Sequence, residues 1–308
     1  MIRYYKTLES HIQKIDKYEE NCWIQCVGPN EDEINYLMAE FNIQPEFLRA
    51  AMDSEETSRI DKEGNATLLI IDSPFVDRTD KSFTYSTFPL SVIITSKNVI
   101  TISLKENSVI EEFSEGLIKN ARPEEKIQFA MNIMLRMSGK YLRYLNQIDK
   151  IAEKVEEEMK KSMKNKELIQ LLEIQKSLVY FSTSLRSINL MLAKIDRGKF
   201  LKLHEEDKDL LEDVMVEMRQ ATEMSELHLN ILCGTMDAFA SIISNNLNIV
   251  MKRLASITII LSLPTIVTSF FGMNNFTDFN TPHWITLTSM CGALVAAAWI
   301  FLKKTKML

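Results

Sequence analysis

The chain of 308 residues has little of what enzyme active sites use most. It contains 4 histidines, 4 cysteines and 8 glycines. The histidines share no metal-ligand spacing with the cysteines, and the sequence has neither a Gly-x-Ser-x-Gly motif nor a glycine-rich phosphate loop. We therefore find no catalytic constellation and expect that the chain is not an enzyme.

The cysteines are also too few and too scattered for a disulfide framework, and none belongs to a Cys-x-x-Cys pair. They are Cys22, Cys26, Cys233 and Cys291. This pattern favours small buried side chains in a reducing compartment. The first residues, Met1–Lys6, lack the apolar stretch of a signal peptide, so we expect the N-terminal domain to lie in the cytosol.

A surplus of positive charge is absent as well. The formal net charge is -6, and no basic patch is interleaved with aromatic residues. Nucleic-acid-binding domains usually carry clustered Lys and Arg, so a nucleic-acid partner is not expected. The 46% of hydrophobic and 25% of charged residues are instead typical of a folded chain, long enough for two domains.

The first third of the chain reads as an α/β domain, residues 1–122. Runs rich in β-branched and aromatic residues predict four strands. These runs are Cys22–Val27, Thr67–Phe75, Thr84–Thr95 and Val99–Leu104. Apolar positions at helical spacing predict a helix over Glu31–Phe41, and Pro45 opens a second helix.

Long helices follow, with almost no Gly or Pro to interrupt them. Two densely charged helices are predicted in residues 123–204, one to about Met163 and one from about Glu167 to Ile195, with a turn at 164–166. A third begins near Glu205 and meets no strong breaker before Pro264, on the order of 90 Å of helix. One small domain cannot bury it, so we expect homo-oligomerisation.

The apolar positions of this third helix recur at an average spacing near 3.5, which favours helix packing along a long seam. They include Leu210, Val214, Ala221, Met224, Ile231, Phe239, Ile242, Ile249 and Met251. Residues 205–253 are therefore interpreted as a stalk. Between Arg219 and Lys252 the stalk contains Glu223, Glu226 and Asp237 but neither Lys nor Arg, as expected of a cation path or of a neutral packing seam.

Two charge-free runs near the C-terminus are long enough to cross a membrane, residues 254–271 and 284–302. A buried hairpin in a soluble core is the alternative. The loop 272–283 has no Lys or Arg, whereas basic residues flank the spans on their other sides, so both termini are expected in the cytoplasm. These are Lys252 and Arg253 before the first span and Lys303, Lys304 and Lys306 in the tail 303–308.

The first span is unusually polar. It contains Ser256, Thr258, Ser262, Thr265, Thr268 and Ser269. Each hydroxyl alone could bond to a carbonyl of its own helix, whereas together they suit a helix that faces a wet pore.

Directly after this span stands Gly272-Met273-Asn274, followed by a short loop, a second span and a lysine-rich tail. In this position the tripeptide resembles the signature of the CorA family of magnesium transporters. The resemblance implies an α+β membrane protein with an N-terminal cytoplasmic α/β domain, a long helical stalk or funnel, and two C-terminal transmembrane helices. It further implies a homopentamer in the plasma (inner) membrane that imports hydrated Mg²⁺, with Co²⁺ or Ni²⁺ as further cargo.

By this resemblance Gly272, Met273 and Asn274 form the selective entrance. Mg²⁺ loses its waters reluctantly, so neutral amide oxygens of Asn274 would hold the hydrated ion, and Gly272 would let the chain turn. Alternatively, Asn274 caps the helix end. The pore face would comprise Ser269 or Thr268, Thr265, Ser262, Leu254 and Met251, with Asn245, Asn246 or Asn248 below. Met251 and Leu254 could gate the pore by dewetting, or could pack against lipid or helices.

The resemblance also implies gating by cytosolic Mg²⁺ bound between subunits. Asp213 matches the stalk aspartate, and Asp77 or Asp80 of the neighbouring α/β domain are candidate partners, although all three could be ordinary surface carboxylates. The outer loop departs from the family's frequent Met-Pro-Glu-Leu. Here Asp278 is its sole acid and would attract cations instead.

Two other functions stay open at this stage. A zinc transporter of the same superfamily would share the layout, but zinc sites prefer His and Cys, which are rare here. A membrane-anchored helical scaffold would conduct no ions and would tolerate Asn274→Ala, and it leaves the polar first span unexplained.

Overall fold

The computed structural model describes residues 1–8, 11–79, 82–118, 121–162, 165–273 and 283–305. The chain divides into two compact units, Met1–Gly234 and Thr235–Leu308.

A seven-stranded mixed sheet organises the first unit, in the order β2-β1-β3-β7-β6-β5-β4. Only the β3–β7 pair is parallel among the described strands. The strands are β1 Ile2–Leu8, β2 His11–Ile15, β3 Trp23–Val27, β4 Arg59–Glu63, β5 Ala66–Thr79, β6 Ser82–Ile94 and β7 Val99–Ser103. The four predicted strands are present, and β5 extends four residues beyond its predicted end at Phe75. Strands β1, β2 and β4 were not predicted.

Helices α1 (Glu31–Phe41) and α2 (Pro45–Met52) pack on one face of the sheet. Leu37 and Leu48 are buried there against Ile24 and Ile100. A capping box starts α1: Asn30 Oδ1 accepts from the Glu33 backbone N–H at 2.8 Å, and Glu33 Oε2 accepts from the Asn30 N–H at 3.1 Å. Both predicted helices are confirmed.

Three more helices complete the first unit apart from the start of α6: α3 (Ser108–Ser114), α4 (Lys126–Ser162) and α5 (Asn165–Asp196). Because side chains alternate along a strand, Trp23 points away from Ile24 and meets Phe129 of α4 at 5.2 Å between ring centroids. Trp23 Nε1–H donates to Thr101 Oγ1 at 2.9 Å, which satisfies the buried indole. Helix α5 already begins at Asn165, so Asn165 and Lys166 of the predicted turn at 164–166 are helical, while Lys164 lies outside the described residues.

Helix α6 runs from Glu205 to Met273 and continues through Pro264. In the first unit it presents a buried stripe spaced alternately by three and four residues from Leu211 to Ser225, with Leu232 seven residues further on. Val214 and Ala221 of the predicted seam lie in this stripe. The stripe comprises Leu211, Val214, Met218, Ala221, Ser225 and Leu232. Its position differs from the sequence expectation at Ile231, which is exposed, while the neighbouring Leu232 is buried.

Helices α5 and α6 are antiparallel along this stripe. Asn189 Nδ2 donates to Thr222 Oγ1 at 2.7 Å, and Gln175 Nε2 lies 3.2 Å from Cys233 Sγ. Residue numbers thus fall on α5 as they rise on α6. The second unit holds the remainder of α6 and α7 (His283–Lys304).

Candidate functional site

The C-terminal part of α6 has the length and composition of a membrane span. Helix residues 205–269 contain an 18-residue stretch apolar enough to cross a bilayer, of which 6% is buried within the chain. Leu261 and Ile266 are exposed by 68% and 63%. Such a large uncharged apolar surface is suited to lipid or to neighbouring helices and not to water.

This part of α6 has two distinct sides. Ser256 and Val267 are the buried residues, at 0% and 7% exposure, and at about 100° per residue they point the same way. The opposite side carries Met251, Leu254, Thr258, Ser262, Thr265 and Ser269, all exposed. We call these six residues the open face. Five of these six residues were predicted to line the pore, and Thr258 was not. Asn248, which was also predicted to line the pore, lies at the margin of the open face.

The hydroxyl groups of α6 bond back to their own helix. Thr258 Oγ1 donates to the Leu254 carbonyl and Ser262 Oγ to the Ile259 carbonyl, each at 2.9 Å. Thr268 Oγ1 donates to the Pro264 carbonyl at 3.0 Å. These bonds use the single hydroxyl proton and leave the oxygen lone pairs as acceptors. The exposed hydroxyls therefore present partial negative charge.

Thr265 has the longest of these contacts, 3.5 Å from Oγ1 to the Leu261 carbonyl oxygen. A hydrogen bond of that length is weak. Among the α6 hydroxyls that donate to a carbonyl of their own helix, the Thr265 hydroxyl is therefore the most readily reoriented. Thr265 was the first choice for a second polar ring, and the structure places it on the open face.

The Gly-Met-Asn motif lies at the end of α6. Gly272 and Met273 are the last two residues of α6, so the chain is still helical at Gly272, where a turn was expected. A helix tolerates glycine at a cost of about 1 kcal/mol, which explains why it continues. Asn274 and Asp278 lie outside the described residues.

The basic end of the chain is partly described. Lys303 and Lys304 close α7, and Lys303 Nζ lies 4.8 Å from the centroid of the Trp299 ring. An ammonium beside an indole is typical of the boundary between hydrocarbon and water. Lys306 lies outside the described residues.

The predicted regulatory acids lie on separate elements of the first unit. Asp213 is exposed on α6 and Asp77 is exposed on β5, in a strand and not in a turn, while Asp80 lies outside the described residues. Among the described residues, no group of three or more His, Cys, Asp or Glu could hold a metal ion. Carboxylate oxygens are ligands that suit Mg²⁺.

Sequence reasoning missed a large cavity in the first unit. It lies beside α4, where Lys140, Arg143 and Tyr144 line it. The lining residues recur at the spacing i, i+3, i+4 along α4, but the sequence analysis predicted only a densely charged helix there.

Comparison with known proteins decides the family. A family model described as "CorA-like Mg2+ transporter protein" matches residues 18–304. The chain belongs to this family. Membership confirms the resemblance carried by Gly272-Met273-Asn274, and it confirms the expectation of a transporter and not an enzyme.

Curated CorA relatives align along most of their length. The "Cobalt/magnesium transport protein CorA" of Methanocaldococcus jannaschii is 25% identical over 288 residues, 91% of this chain and 89% of the relative. The protein of the same name from Thermotoga maritima is 20% identical over 304 residues, 93% and 83% of the two chains. The "Magnesium transport protein CorA" of Campylobacter jejuni is 25% identical over 289 residues, 88% of each chain.

Solved structures show the CorA fold. The complete CorA magnesium transporter from Methanocaldococcus jannaschii superposes with a TM-score of 0.86 at 20% identity, covering 100% of this chain and 99% of that one. Full-length CmaX gives a TM-score of 0.72 at 15% identity, covering 99% and 97%. These likenesses confirm an N-terminal α/β domain followed by a long helix.

Proposed function

We propose that this CorA-family chain assembles as a homopentamer in the plasma (inner) membrane and imports hydrated Mg²⁺, with Co²⁺ or Ni²⁺ as further cargo. The observation that carries the proposal is the open face of α6, which is uncharged, exposed and lined by hydroxyl oxygens. The names of the relatives, cobalt/magnesium and magnesium transport proteins, support the choice of cargo.

The chemistry of the open face fits a hydrated cation. Waters bound to Mg²⁺ point their hydrogens outward, so the wall of the path must accept hydrogen bonds. The hydroxyl protons of Thr258 and Ser262 are already donated within the helix, which leaves acceptors toward the path. Five copies around one axis would stack these acceptors as successive rings.

The basic residues before the span do not oppose this path. Lys252 and Arg253 directly follow Met251, but each successive residue turns by about 100° around the helix. Both side chains therefore start from positions off the open face. Met251 and Leu254 remain on it as the uncharged constriction, which would close the path by dewetting.

The proposed channel assigns a part of the assembly to each segment of the chain. Residues 1–122 form the cytoplasmic α/β domain, 123–204 the paired outer helices, and 205–253 the stalk. Residues 254–271 form the pore-lining span and 284–302 the second span, with the loop 272–283 outside and the tail 303–308 inside. Asn274 would form the selective ring at the outer end, and Asp278 would attract cations toward it.

Regulation by cytosolic Mg²⁺ would use the interface between subunits. We propose that Asp213 of one subunit and Asp77 or Asp80 of the next hold the ion that keeps the channel shut. The exposure of Asp213 and Asp77 supports this, because both carboxylates are available to a second chain. Oxygen ligands of this kind are those that Mg²⁺ prefers.

The test is flux into liposomes that contain a magnesium-sensitive dye, under an inward-negative potential. We expect uptake by the wild type, loss of uptake in Asn274→Ala, and about 10-fold slower uptake in Thr265→Val, which keeps the shape but removes the acceptor. Ser256→Ala is the matched control, because Ser256 lies on the buried side of the same helix segment.

Each other result has a defined meaning. No flux from any variant, wild type included, would favour the scaffold. If Asn274→Ala conducts as well as the wild type, the protein is still a channel but Asn274 does not form its selectivity filter. Competition by Co²⁺ and Zn²⁺ separates the magnesium branch from the zinc branch.

A further inference from the structure

The cavity of about 810 Å³ in the first unit lies between the β5–β6 hairpin, the start of α3 and one side of α4. The α4 residues that line it recur at i, i+3, i+4, i+7, i+10 and i+11, which is one stripe of a helix. They are Lys140, Arg143, Tyr144, Gln147, Lys150 and Ile151. A cavity of this size is within the range that holds a small organic ligand.

The cavity gathers positive charge in an acidic protein. The chain has a formal net charge of -6, yet Lys140, Arg143 and Lys150 stand on the same side of α4. Within the described part of the chain, none of the three has a carboxylate at salt-bridge distance. Glu106 and Glu111 also line the cavity, so three positive and two negative side chains leave the lining with one net positive charge for a bound anion.

Lys140 is the most constrained of these cations. Its Nζ donates to Ser108 Oγ, a neutral partner. Burial is the main reason that the pKa of Lys140 is lowered from its ordinary value. An anion beside the ammonium would offset that loss of hydration.

Aromatic rings form another part of the wall. Phe75 and Phe88 meet edge to face, with 5.6 Å between their centroids, and Tyr85 and Tyr144 do so at 5.5 Å. All four rings line the cavity. Such surfaces suit a planar ring of a ligand.

We propose that this cavity binds a nucleoside phosphate. Its phosphates would contact Lys140, Arg143 and Lys150, its base would pack against the aromatic wall, and its ribose hydroxyls would donate to Glu106 or Glu111. Both carboxylates line the cavity, one just before α3 and one in it. None of the cavity residues named here belongs to α6, along which the ion path is proposed, and the existence of the site does not depend on the proposed transport.

The test uses the purified full-length chain in detergent, titrated calorimetrically with ATP in the presence of EDTA so that Mg²⁺ binding does not contribute. We expect one saturable site per chain and at least about 10-fold weaker binding in Arg143→Gln. Lys154→Gln is the matched control, because it removes one charge from an exposed position of the same helix outside the cavity. It should change the affinity less than about twofold.

Inorganic triphosphate and Phe75→Leu test the role of the ring. We expect triphosphate to bind more weakly than ATP, and Phe75→Leu to weaken ATP alone. The proposal is overturned by absence of saturable ATP binding at millimolar concentration, by equal losses in Lys154→Gln and Arg143→Gln, or by triphosphate binding as tightly as ATP. Thermal unfolding of each variant verifies that it is folded.

Discussion

At the scale of single residues, the position of a polar side chain decides what it can do. On the open face of α6, Thr258 and Ser262 are exposed, and their hydroxyls donate to carbonyls of their own helix. Asp72 in β5 is the opposite case. It is buried, and its Oδ2 accepts from Ser58 Oγ at 2.9 Å.

The first residue-scale prediction concerns pH. Burial, the largest cause, raises the pKa of the Asp72 carboxyl above its ordinary value. The folded state therefore holds this proton more tightly than the unfolded state, and Asp72 stabilises the fold at a pH below the ordinary Asp pKa of about 3.9. That contribution is lost as the pH rises through the raised pKa of the folded state.

Asp72→Asn removes this dependence while keeping an acceptor for Ser58. We expect Asp72→Asn to be more stable than the wild type at pH 7 and therefore to unfold at a higher temperature. The gain in the free energy of unfolding should be about 1.4 kcal/mol for each unit by which the pKa is raised, and it should shrink toward pH 4. Thermal unfolding across this pH range measures it. Asp16→Asn, at an exposed position, should not change the midpoint, and a lower midpoint for Asp72→Asn at pH 7 would refute the argument.

At the scale of elements, Ala221 marks the contact between α5 and α6. Ala221 has 0% exposure within the buried stripe of α6, and the next residue, Thr222, accepts from Asn189 of α5. A larger side chain at Ala221 has to push the helices apart or take a strained rotamer.

Ala221→Leu should therefore destabilise the first unit by about 1–3 kcal/mol. Because a unit of this size shifts by about 2–4 °C per kcal/mol, the unfolding midpoint should fall by several degrees. Gln220→Leu is the control, since it adds the same side chain one residue away at an exposed position. Equal midpoints for both variants would mean that the helices accommodate the leucine without cost.

The elements that sequence alone predicted are those whose pattern is local. Helix α1 was found with its bounds because its apolar residues share one side. Strand β4, Arg59–Glu63, has four charged residues beside its single buried Ile60, and it exists because its backbone pairs with β5. Its extended conformation is stabilised by hydrogen bonds to β5. The residues of β4 alone do not predict that pairing.

The same distinction applies to the candidate site. The open face of α6 could be predicted because helical spacing alone determines which residues share a side. The regulatory acids could be named but not paired, because Asp213 and Asp77 lie on elements far apart in sequence and their proposed partners belong to another chain. The cavity beside α4 escaped notice because its other walls come from β5, β6 and α3.

At the scale of the whole molecule, both units leave apolar surface that one chain does not cover. In the first unit, Leu190 of α5 and Leu227 of α6 are exposed by 64% and 57%. In the second unit, Leu261 of α6 and Phe301 of α7 are exposed by 68% and 63%. We propose that neighbouring subunits cover the first pair and that lipid or neighbouring subunits cover the second.

The last prediction is the topology of the assembled protein in the membrane. Lys252, Arg253 and the lysines of the tail 303–308 flank two uncharged segments, and positively charged flanks stay in the cytoplasm. In a chain with Cys233 and Cys291 replaced by serine, a membrane-impermeant maleimide added to intact cells should label Thr277→Cys. It should label Lys14→Cys and Lys306→Cys only after lysis, because residues 14 and 306 would lie inside. Labelling of both Thr277→Cys and Lys306→Cys in intact cells would show that the second segment does not cross, and the import path proposed along α6 would then lack its outer boundary.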